Sequence, residues 1–240
     1  MKILKFDCID STNTYGKSNF DNLDDKTVII SDEQTQGRGR FNRTWISQDC
    51  DNIYLSLILK PEKKDYLANL TQYMSVIAAK TIETYNVAPQ IKWPNDVMIN
   101  NKKVCGILCE GVIKNNKLSG VVLGIGINLN ANEKILEIIN KPATSLNIEL
   151  EQKIDKDLFL KKFLDNFFEN YENAIQKGFE SFEQDYIKYT NFLKKTVFIQ
   201  QRDNDEKKEY IAQAIDKNGN LIVLNKNNEQ EIIYSGDLIY

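Results

Sequence analysis

Alternating and continuous apolar runs predict several strands in the first half of the chain. Residues 27–30 form a short β-branched run, and residues 52–59 alternate apolar and polar positions before becoming fully apolar. The second run predicts a strand buried on one or both faces. Residues 104–113 and 118–127 flank the polar turn Asn115-Asn116-Lys117, which is typical of a β-hairpin. Together these runs predict a mostly antiparallel sheet.

Helical spacing of apolar residues predicts the elements that cover this sheet. Residues 64–85 repeat apolar side chains three and four positions apart and lie between Pro61 and Pro89. Residues 155–177 and 178–189 show the same spacing. Five side chains of residues 155–177 are expected to face a core: Leu158, Phe159, Phe163, Phe167 and Tyr171.

The pattern changes after residue 191, where short apolar runs replace helical spacing. They occupy residues 197–199, 210–215, 221–224 and 232–234, and Asn218-Gly219 is a strong hairpin-turn signal. We therefore expect an α+β protein. Residues 1–191 would form a mixed, mainly antiparallel sheet with flanking helices, and residues 192–240 a small C-terminal β-barrel.

Composition narrows the chemistry that the chain can perform. It has 240 residues, a net charge of −3 and no histidine. The length permits one large domain, either alone or with a small appendage. The lack of histidine excludes histidine acid–base catalysis, His-ligated zinc and Ser-His-Asp triads. The acidic balance provides no broad positive field, so we expect no nucleic-acid partner.

The four cysteines, Cys8, Cys50, Cys105 and Cys109, form no CxxC pair. Cys105 and Cys109 would lie on one side of a strand about 13 Å apart, too far for a shared metal or a disulfide. Reduced thiols in a cytoplasmic protein are expected. Neither a signal peptide nor an apolar run of membrane-spanning length is present, so no membrane association is expected.

The most informative segment is the loop of residues 34–46, in which residues 37–43 contain three arginines and two glycines. Arg38 and Arg40 are always charged, and their planar forks match phosphate or carboxylate oxygens. Gly37 and Gly39 are expected to approach an anion closely and to adopt positive φ. A solvated loop with incidental arginines is the alternative. A long basic loop between strands favours binding of a negatively charged small molecule.

Two further segments have both structural and functional interpretations. In Lys92-Trp93-Pro94-Asn95-Asp96 the last three residues have turn chemistry, and Lys92 could pair with Asp96. Lys103 stands at the entrance of a predicted strand, where lysine is usually just solvated. Gly106 within that strand indicates close approach of another group to the backbone.

Residues 124–128, Gly-Ile-Gly-Ile-Asn, superficially match a dinucleotide fingerprint. They lack its third glycine and no predicted helix begins there, so we reject that interpretation. Alternating glycines leave one strand face bare, which suits a flat ligand, and Asn128 could hydrogen-bond it. Near the N-terminus, Ser11 or Thr12 suits a helix N-cap, and the same groups could hold a small polar head group.

Taken jointly, these segments resemble the biotin protein ligase family, the biotin–[acetyl-CoA-carboxylase] ligases. They occur in the family's order and spacing over residues 8–130. The matching segments are Ser11-Thr12-Asn13, Gly37-Arg38-Gly39-Arg40 with Arg43 and Trp45, Lys92-Trp93-Pro94-Asn95-Asp96, Lys103 with Gly106-Ile107-Leu108 and Glu110, and Gly124-x-Gly126-x-Asn128. The resemblance implies a catalytic domain like that of class II synthetases.

The resemblance also implies a set of site residues. Lys103 falls on the lysine that reaches the reacting carboxylate and α-phosphate, and Arg40 on the catalytic loop. Asp96 is a candidate for steering or deprotonating the acceptor amine, with turn stabilisation as the equal alternative. The implied biotin- and adenylate-binding residues are Ser11, Thr12, Asn13, Gln34, Arg38, Gly39, Arg40, Arg43, Trp45, Lys92, Lys103, Gly106 and Asn128.

The implied activity is an ATP-dependent ligase that activates biotin as biotinyl-5′-AMP. The biotinyl group would pass to a lysine of the biotin carboxyl carrier domain of a biotin-dependent carboxylase. ATP and biotin are the expected substrates, and Mg²⁺ would be held largely by the phosphates. A monomer or weak homodimer is expected. The alternatives are a lipoate or octanoate ligase or transferase of the same fold, and a non-enzymatic interaction module.

Two features depart from the family pattern. Asn42 stands where the family usually has glycine, and because Asn tolerates left-handed backbone we expect a somewhat stiffer loop. About ten residues precede Ser11, too few for the helix-turn-helix domain of the family's repressors. DNA binding is therefore not expected.

Overall fold

A computed structural model describes residues 2–48, 51–139, 141–201 and 206–239, without the side chain of Asn42. Cys50 lies outside these residues. Within them, seven strands form the main sheet: β1 (Ile3–Ile9), β2 (Thr27–Gln34), β3 (Ile53–Leu59), β4 (Gln90–Lys92), β5 (Asp96–Ile99), β6 (Lys102–Lys114) and β7 (Lys117–Ile127). The α-helices are α1 (Thr12–Ser18), α2 (Leu70–Glu83), α3 (Glu133–Ile138), α4 (Leu146–Leu150), α5 (Lys156–Glu169), α6 (Tyr171–Lys177) and α7 (Glu183–Tyr189).

The strands of the main sheet lie in the order β1-β2-β3-β7-β6-β5-β4. β1 and β2 are parallel, and the other neighbouring pairs are antiparallel. The predicted mixed, mainly antiparallel sheet is therefore confirmed. β6 and β7 form the predicted hairpin, and Asn115 and Asn116 take the positive φ values, 48° and 59°, that its tight turn needs. Every residue of β3 is buried, because β3 is a central strand covered on both faces.

Helices cover the two faces of the main sheet. α1 packs on β3 and β7, and Gly16 permits this contact because a Cβ there would lie 2.9 Å from Ile58 Cδ1. α2, α5 and α7 pack together and contribute to the larger core. In α5, Phe159, Phe163 and Phe167 are buried as predicted. The prediction for Leu158 is wrong: its side chain is 47% exposed, since it precedes the buried stripe by one position.

Cys105 and Cys109 behave as small core residues, whereas Cys8 is exposed. Cys105 is fully buried and Cys109 packs against the same core. Burial raises the pKa of the Cys109 thiol to about 12, which keeps it protonated and unreactive. Within the described ranges, no helix is long and apolar enough to cross a membrane.

The C-terminal sheet consists of β8 (Thr196–Gln200), β9 (Lys207–Ile215), β10 (Leu221–Leu224), β11 (Gln230–Ile233) and β12 (Asp237–Ile239) in the order β11-β10-β9-β8-β12. The prediction of a barrel is wrong, because β11 and β12 do not pair among the described residues. Four residues from Ile233 to Asp237 span at most about 14 Å, whereas five flat strands would separate the edges by about 19 Å. The sheet therefore bends strongly, but edge strands of 4 and 3 residues do not close it.

The turn between β9 and β10 attaches the C-terminal sheet to the main domain. Gln72 Nε2 donates to Gly219 O at 2.7 Å, Asn69 Nδ2 to Asn218 O at 2.7 Å, and Trp93 Nε1 to Gly219 O at 3.1 Å. Only a glycine fits at position 219, since φ is +83° and a Cβ would lie 2.2 Å from Gln72 Oε1. Both sheets share one hydrophobic core. The boundary at residue 191 stays a prediction.

Candidate functional site

A cavity of about 690 Å³ lies where the arginine-rich loop, the main sheet and the C-terminal sheet meet. Every residue predicted to bind ligand or to take part in catalysis lines it: Ser11, Thr12, Asn13, Gln34, Arg38, Gly39, Arg40, Arg43, Trp45, Lys92, Asp96, Lys103, Gly106 and Asn128. These residues are spread over more than a hundred positions of sequence. The fold brings them together, while the role of each stays a prediction.

Small polar groups at the start of α1 form one end of the cavity. Ser11 is the N-cap of α1, and its side chain accepts a hydrogen bond from Thr14 N. Gln34 Oε1, at the end of β2, accepts from Thr12 N at 2.9 Å and Thr12 Oγ1 at 3.2 Å. Ser56 Oγ lies 2.7 Å from Thr12 Oγ1, within hydrogen-bond distance. The helix start is thus fixed against two strands, which gives this end of the cavity a rigid polar surface.

Asn13 is fully engaged within the protein. Its Oδ1 accepts from Ser56 Oγ at 2.6 Å, and its Nδ2 donates to Leu108 O and to Glu110 Oε2. It also fills the space above Gly124, where a Cβ would lie 2.1 Å from Asn13 Oδ1. The bare strand face predicted at Gly124 is therefore occupied by a side chain of the protein.

Glu110 joins this polar end to the arginine-rich loop. Its carboxylate accepts from Asn13, pairs with Lys17 Nζ at 2.9 Å and lies 3.3 Å from Arg38 Nη1. Burial alone would raise the pKa of Glu110. The hydrogen bonds from Lys17 and Asn13 and the charge of Arg38 outweigh burial, so its pKa lies below the ordinary value. The ionised carboxylate is therefore an anchor for Arg38.

The arginine-rich loop folds back as a short hairpin, with bridges pairing Gln34 with Ser47 and Arg38 with Thr44. Gly37 permits a close crossing, since a Cβ there would lie 2.3 Å from Trp45 O. The expected positive φ at the two glycines is wrong: Gly39 has φ −116°, and Gly37 is not in the left-handed region. Left-handed backbone occurs instead at Phe41, with φ 55°. The side chain of Asn42, and its expected effect on stiffness, lie outside the described residues.

Arg40 and Arg43 point toward the C-terminal sheet. Arg40 Nη1 donates to Asn95 Oδ1 at 2.9 Å, and both terminal nitrogens lie 3.3 Å from Gly236 O. Arg43 forms an ion pair with Asp237. Burial lowers the pKa of Arg40, while the charge of Asp237 opposes that shift. Even so, Arg40 stays cationic at physiological pH.

Trp45 covers Gly106 of β6 and Gly126 of β7. A Cβ at Gly126 would lie 2.4 Å from Trp45 Cε2, and one at Gly106 would lie 2.7 Å from Trp45 Cζ3. The flat group predicted to lie against these strands is thus, at these two positions, the indole itself. Trp45 Nε1 is buried and has no hydrogen-bond partner among the described residues. It is therefore a donor that a ligand could satisfy.

Lys103 and Asp96, which also line the cavity, form an ion pair with Nζ 2.6 Å from Oδ1. Lys92 was the partner suggested for Asp96 from the sequence, and it stands opposite Asp96 in the β4–β5 register. In the structure, however, the ion-pair partner of Asp96 is Lys103. Burial lowers the pKa of Lys92; Asp96 opposes this shift and Lys103 adds to it. Two lysines and one carboxylate therefore share a small, half-buried region, which favours binding of an anion.

Asn128 is hydrogen-bonded to a segment of the cavity wall that was not predicted from the sequence. Its Nδ2 donates to Thr144 O at 3.0 Å, and its side chain is buried. The chain at Ala143 runs parallel to β6, because Lys103 N donates to Pro142 O and Thr144 N to Lys103 O, both at 2.9 Å. This segment adds Ile138, Ile139, Lys141, Pro142 and Ala143 to the cavity lining. One signal for this wall was available in the sequence, the aliphatic cluster of residues 135–139. No side chain of α3 is buried in the structure.

Asn95 and Asp237 are further site residues that the analysis missed. Asn95 Nδ2 donates to Ile107 O at 2.7 Å, which directs its oxygen toward Arg40. Asn95 lies in the segment of residues 92–96, for which the sequence indicated a turn but no specific contact of Asn95. Asp237 lies 197 positions from Arg40 in sequence, and no local pattern connects them. Across the described residues, no group of three or more His, Cys, Asp or Glu side chains is placed to hold a metal.

Comparison with known proteins bears directly on this arrangement. Residues 5–128 match the Biotin/lipoate A/B protein ligase family, and this segment carries most of the cavity lining. The chain belongs to this family. Residues 199–239 match the Biotin protein ligase C terminal domain, which corresponds to most of the C-terminal sheet.

Individual relatives agree with membership of the Biotin/lipoate A/B protein ligase family. The bifunctional ligase/repressor BirA of Bacillus subtilis (strain 168) is 34% identical over 164 residues, covering 66% of this chain and 50% of that protein. The biotin--[acetyl-CoA-carboxylase] ligase of Paracoccus denitrificans is 30% identical over 157 residues, covering 63% of this chain and 65% of that protein. This family member thus spans about half the length of its Bacillus relatives.

A solved structure resembles nearly the whole chain. The biotin protein ligase from Aquifex aeolicus, in complex with biotin and ATP, is 28% identical with a TM-score of 0.85. The match covers 99% of this chain and 97% of that one. The α+β fold predicted for this family member is therefore confirmed, including a separate C-terminal sheet.

Proposed function

We propose that this protein is an ATP-dependent ligase that activates biotin as biotinyl-5′-AMP and transfers the biotinyl group to a lysine of a biotin carboxyl carrier domain. The observation that carries the proposal is one cavity with a rigid polar end at Ser11 and Gln34 and cationic groups at Arg40 and Lys103. A ligand in which an acyl chain joins a polar ring to a phosphate would match the polar end through its ring and the cationic groups through its phosphate.

Two comparisons support biotin over lipoate. The family that matches residues 5–128 includes both kinds of ligase, but the domain matching residues 199–239 is named for biotin protein ligases. The Aquifex structure is described as a complex with biotin and ATP. Since Asp237 of the C-terminal sheet lines the cavity, the segment that favours biotin is also part of the site.

The first step would join the biotin carboxylate to ATP. A carboxylate oxygen attacks the α-phosphorus, and the bond to the bridging oxygen breaks, so pyrophosphate leaves with the electron pair. Negative charge gathers on the phosphate oxygens. Lys103 and Arg40 supply fixed positive charge there, and pre-positioned charge of this kind is a large source of catalysis. Because no protein nucleophile takes part, the absence of histidine is no obstacle.

Mg²⁺ would enter with ATP. We propose that the ion is held mainly by the phosphates; among the described residues, no group of three or more His, Cys, Asp or Glu side chains is placed to hold a metal. Its chemistry when bound is to neutralise the leaving pyrophosphate. Asp96 and Asp237 are the carboxylates among the described residues that line the cavity.

The second step would transfer the acyl group. The ε-amine of an acceptor lysine attacks the carbonyl carbon of the mixed anhydride, and AMP leaves with the electron pair of the broken C–O bond. We assign to Asp96 the removal of the amine proton or the orientation of the amine. Its bond to Lys103 would be given up when Lys103 turns to the phosphate.

We propose a carboxylase carrier domain as the partner, because the Paracoccus relative is named a biotin--[acetyl-CoA-carboxylase] ligase. The opening of the cavity would have to admit a flat, exposed turn of the carrier domain that bears the acceptor lysine. We place the reaction in the cytoplasm, where Cys8, Cys105 and Cys109, all free, would stay reduced.

The test is a reaction of purified protein with ATP, Mg²⁺, biotin and a carrier domain. We expect biotin-dependent pyrophosphate release and a mass increase on one acceptor lysine. The matched control is a carrier domain with that lysine replaced by arginine. Product with lipoate or octanoate but not with biotin would favour the related ligases. Failure to bind both ATP and biotin in calorimetry would favour an interaction module.

A further inference from the structure

The arginine-rich loop is held by a carboxylate of the C-terminal sheet. Asp237, the first residue of β12, forms an ion pair with Arg43 and lies 3.7 Å from Arg40. The side chains of Arg40 and Asp237 are each only 20% exposed, so solvent screens this pair less than a surface pair. A single carboxylate thus neutralises part of the charge of both arginines.

The preceding carbonyl completes this contact. Gly236 O accepts from both terminal nitrogens of Arg40, and Asn95 Oδ1 accepts from one of them. The guanidinium fork that would grip a phosphate is therefore already occupied by protein oxygens. Gly236 has φ +156°, and a Cβ there would lie 3.1 Å from Ile199 Cγ2. The segment that leads into β12 thus needs glycine at this position to present its carbonyl to the loop.

Phe41 indicates that the contact constrains the loop. Its backbone is left-handed, with φ 55°, which is an unfavourable conformation for a bulky residue. Its ring lies 4.7 Å from Arg40 Cζ and 5.4 Å from Arg43 Cζ. Two cation–π contacts and the shared carboxylate hold the loop tip in a conformation that Phe41 alone would not favour.

We propose that Asp237 is a latch for the arginine-rich loop, an internal anion that a phosphate ligand must displace from Arg40 and Arg43. A phosphate group carries more charge and more acceptor oxygens than one carboxylate, so it competes for the same forks. By linkage, phosphate binding weakens the hold of β12 on the loop, and release of β12 strengthens phosphate binding. The latch rests on the proposed function only for the identity of that phosphate ligand.

The direct test is amide hydrogen exchange of residues 38–45 in the full-length protein without added nucleotide. Asp237→Asn keeps the shape of the side chain and removes its charge, and we expect exchange to accelerate about tenfold. Glu209→Gln is the matched control, because Glu209 lies on the same sheet and faces Lys226 at 3.8 Å. It should leave the loop unchanged. Unchanged exchange in Asp237→Asn would overturn the latch.

The second test is binding of inorganic pyrophosphate by calorimetry. Without the competing carboxylate, Asp237→Asn should bind pyrophosphate about tenfold more tightly. Weaker binding would mean that Asp237 orients the arginines toward the ligand, and the latch would be refuted. Tighter binding with unchanged exchange would mean a field effect alone, which also refutes it. Because neither test uses biotin or an acceptor, failure of the ligase assay would leave both results standing.

Discussion

The ammonium group of Lys103 lies 2.6 Å from the carboxylate of Asp96, so the two residues assigned to successive chemical steps are direct partners. Neighbouring strands create this contact, since Asp96 pairs with Gly106 in the β5–β6 register. The long lysine side chain then passes over Gly106, where a Cβ would lie 2.9 Å from Nζ. Glycine at 106 therefore gives Lys103 its path to Asp96.

Replacing Lys103 with glutamine should remove this charge from the phosphate site. We expect biotin-dependent pyrophosphate release to slow about 10²- to 10³-fold, as for loss of one pre-positioned group at a developing charge. The affinity for biotin alone should fall much less than the rate, because Lys103 is one of several residues proposed to bind it. Rates are measured by coupled pyrophosphate detection, and Lys102→Gln, the exposed neighbour, is the control. Equal losses in both variants would remove Lys103 from the mechanism.

Gly126→Ala should displace the indole of Trp45. The new Cβ would lie 2.4 Å from Trp45 Cε2, so the ring has to move. We expect the affinity for biotin to fall at least tenfold, measured by calorimetry, because the cavity wall is lost. Gly111→Ala on β6 is the control, since its Cβ would meet only Leu118 Cδ1, at 3.2 Å. Retained affinity in Gly126→Ala would show that Trp45 does not shape the biotin site.

Glu110 should make stability depend on pH in the acid range. Its pKa lies below the ordinary value of 4.5, because hydrogen bonds from Lys17 and Asn13 and the charge of Arg38 outweigh burial. A lowered folded pKa means that ionised Glu110 stabilises the fold above pH 4.5. This contribution is lost as the pH falls through the folded pKa.

Glu110→Gln should therefore lower Tm at neutral pH and lose this difference at low pH. The Tm gap between the two proteins should narrow as the pH falls below 4.5, as followed by thermal unfolding. Glu172→Gln removes an exposed partner of Lys26 and serves as control. A gap that stays constant over this range would contradict the assigned anchor role.

Lys92→Met should raise the thermal stability of the protein and weaken its binding of ATP. Burial lowers the pKa of Lys92 and Lys103 adds to the shift, despite the opposing charge of Asp96. An apolar side chain of similar length avoids that desolvation, so we expect Tm to rise by about 2–4 °C. ATP affinity should fall at the same time. A lower Tm with unchanged ATP binding would indicate a purely structural lysine.

Local patterns predicted most of the fold. Asn115-Asn116 specified the β6–β7 turn because both residues tolerate positive φ, and helical periodicity located α2 and α5. β1 was not predicted, although Leu4 and Phe6 alternate with Lys5 and Asp7 and pack against the smaller hydrophobic cluster. The expected barrel depended on whether two edges meet. That is a property of sheet curvature, which no short pattern encodes.

The site residues divide in the same way, into those with a local sequence signal and those that only the fold brings together. The loop, Lys103 and Ser11 could be located because charge, glycine and capping chemistry are local signals. Asp237 could not, because only the folded C-terminal sheet brings it to Arg40. Gly126 was recognised as a bare strand face, but that face is covered by Trp45, a contact between positions 81 residues apart.

The indole of Trp45 over Gly106 and Gly126 makes the width of the cavity adjustable. Two strands of the main sheet contribute no side chain there, and one residue from a surface hairpin fills the gap. A smaller residue at position 45 would widen the cavity without repacking the sheet. Acyl substrates with a bulky substituent could then be matched to the enlarged pocket, so the chain offers a single position at which an orthogonal labelling enzyme could be engineered.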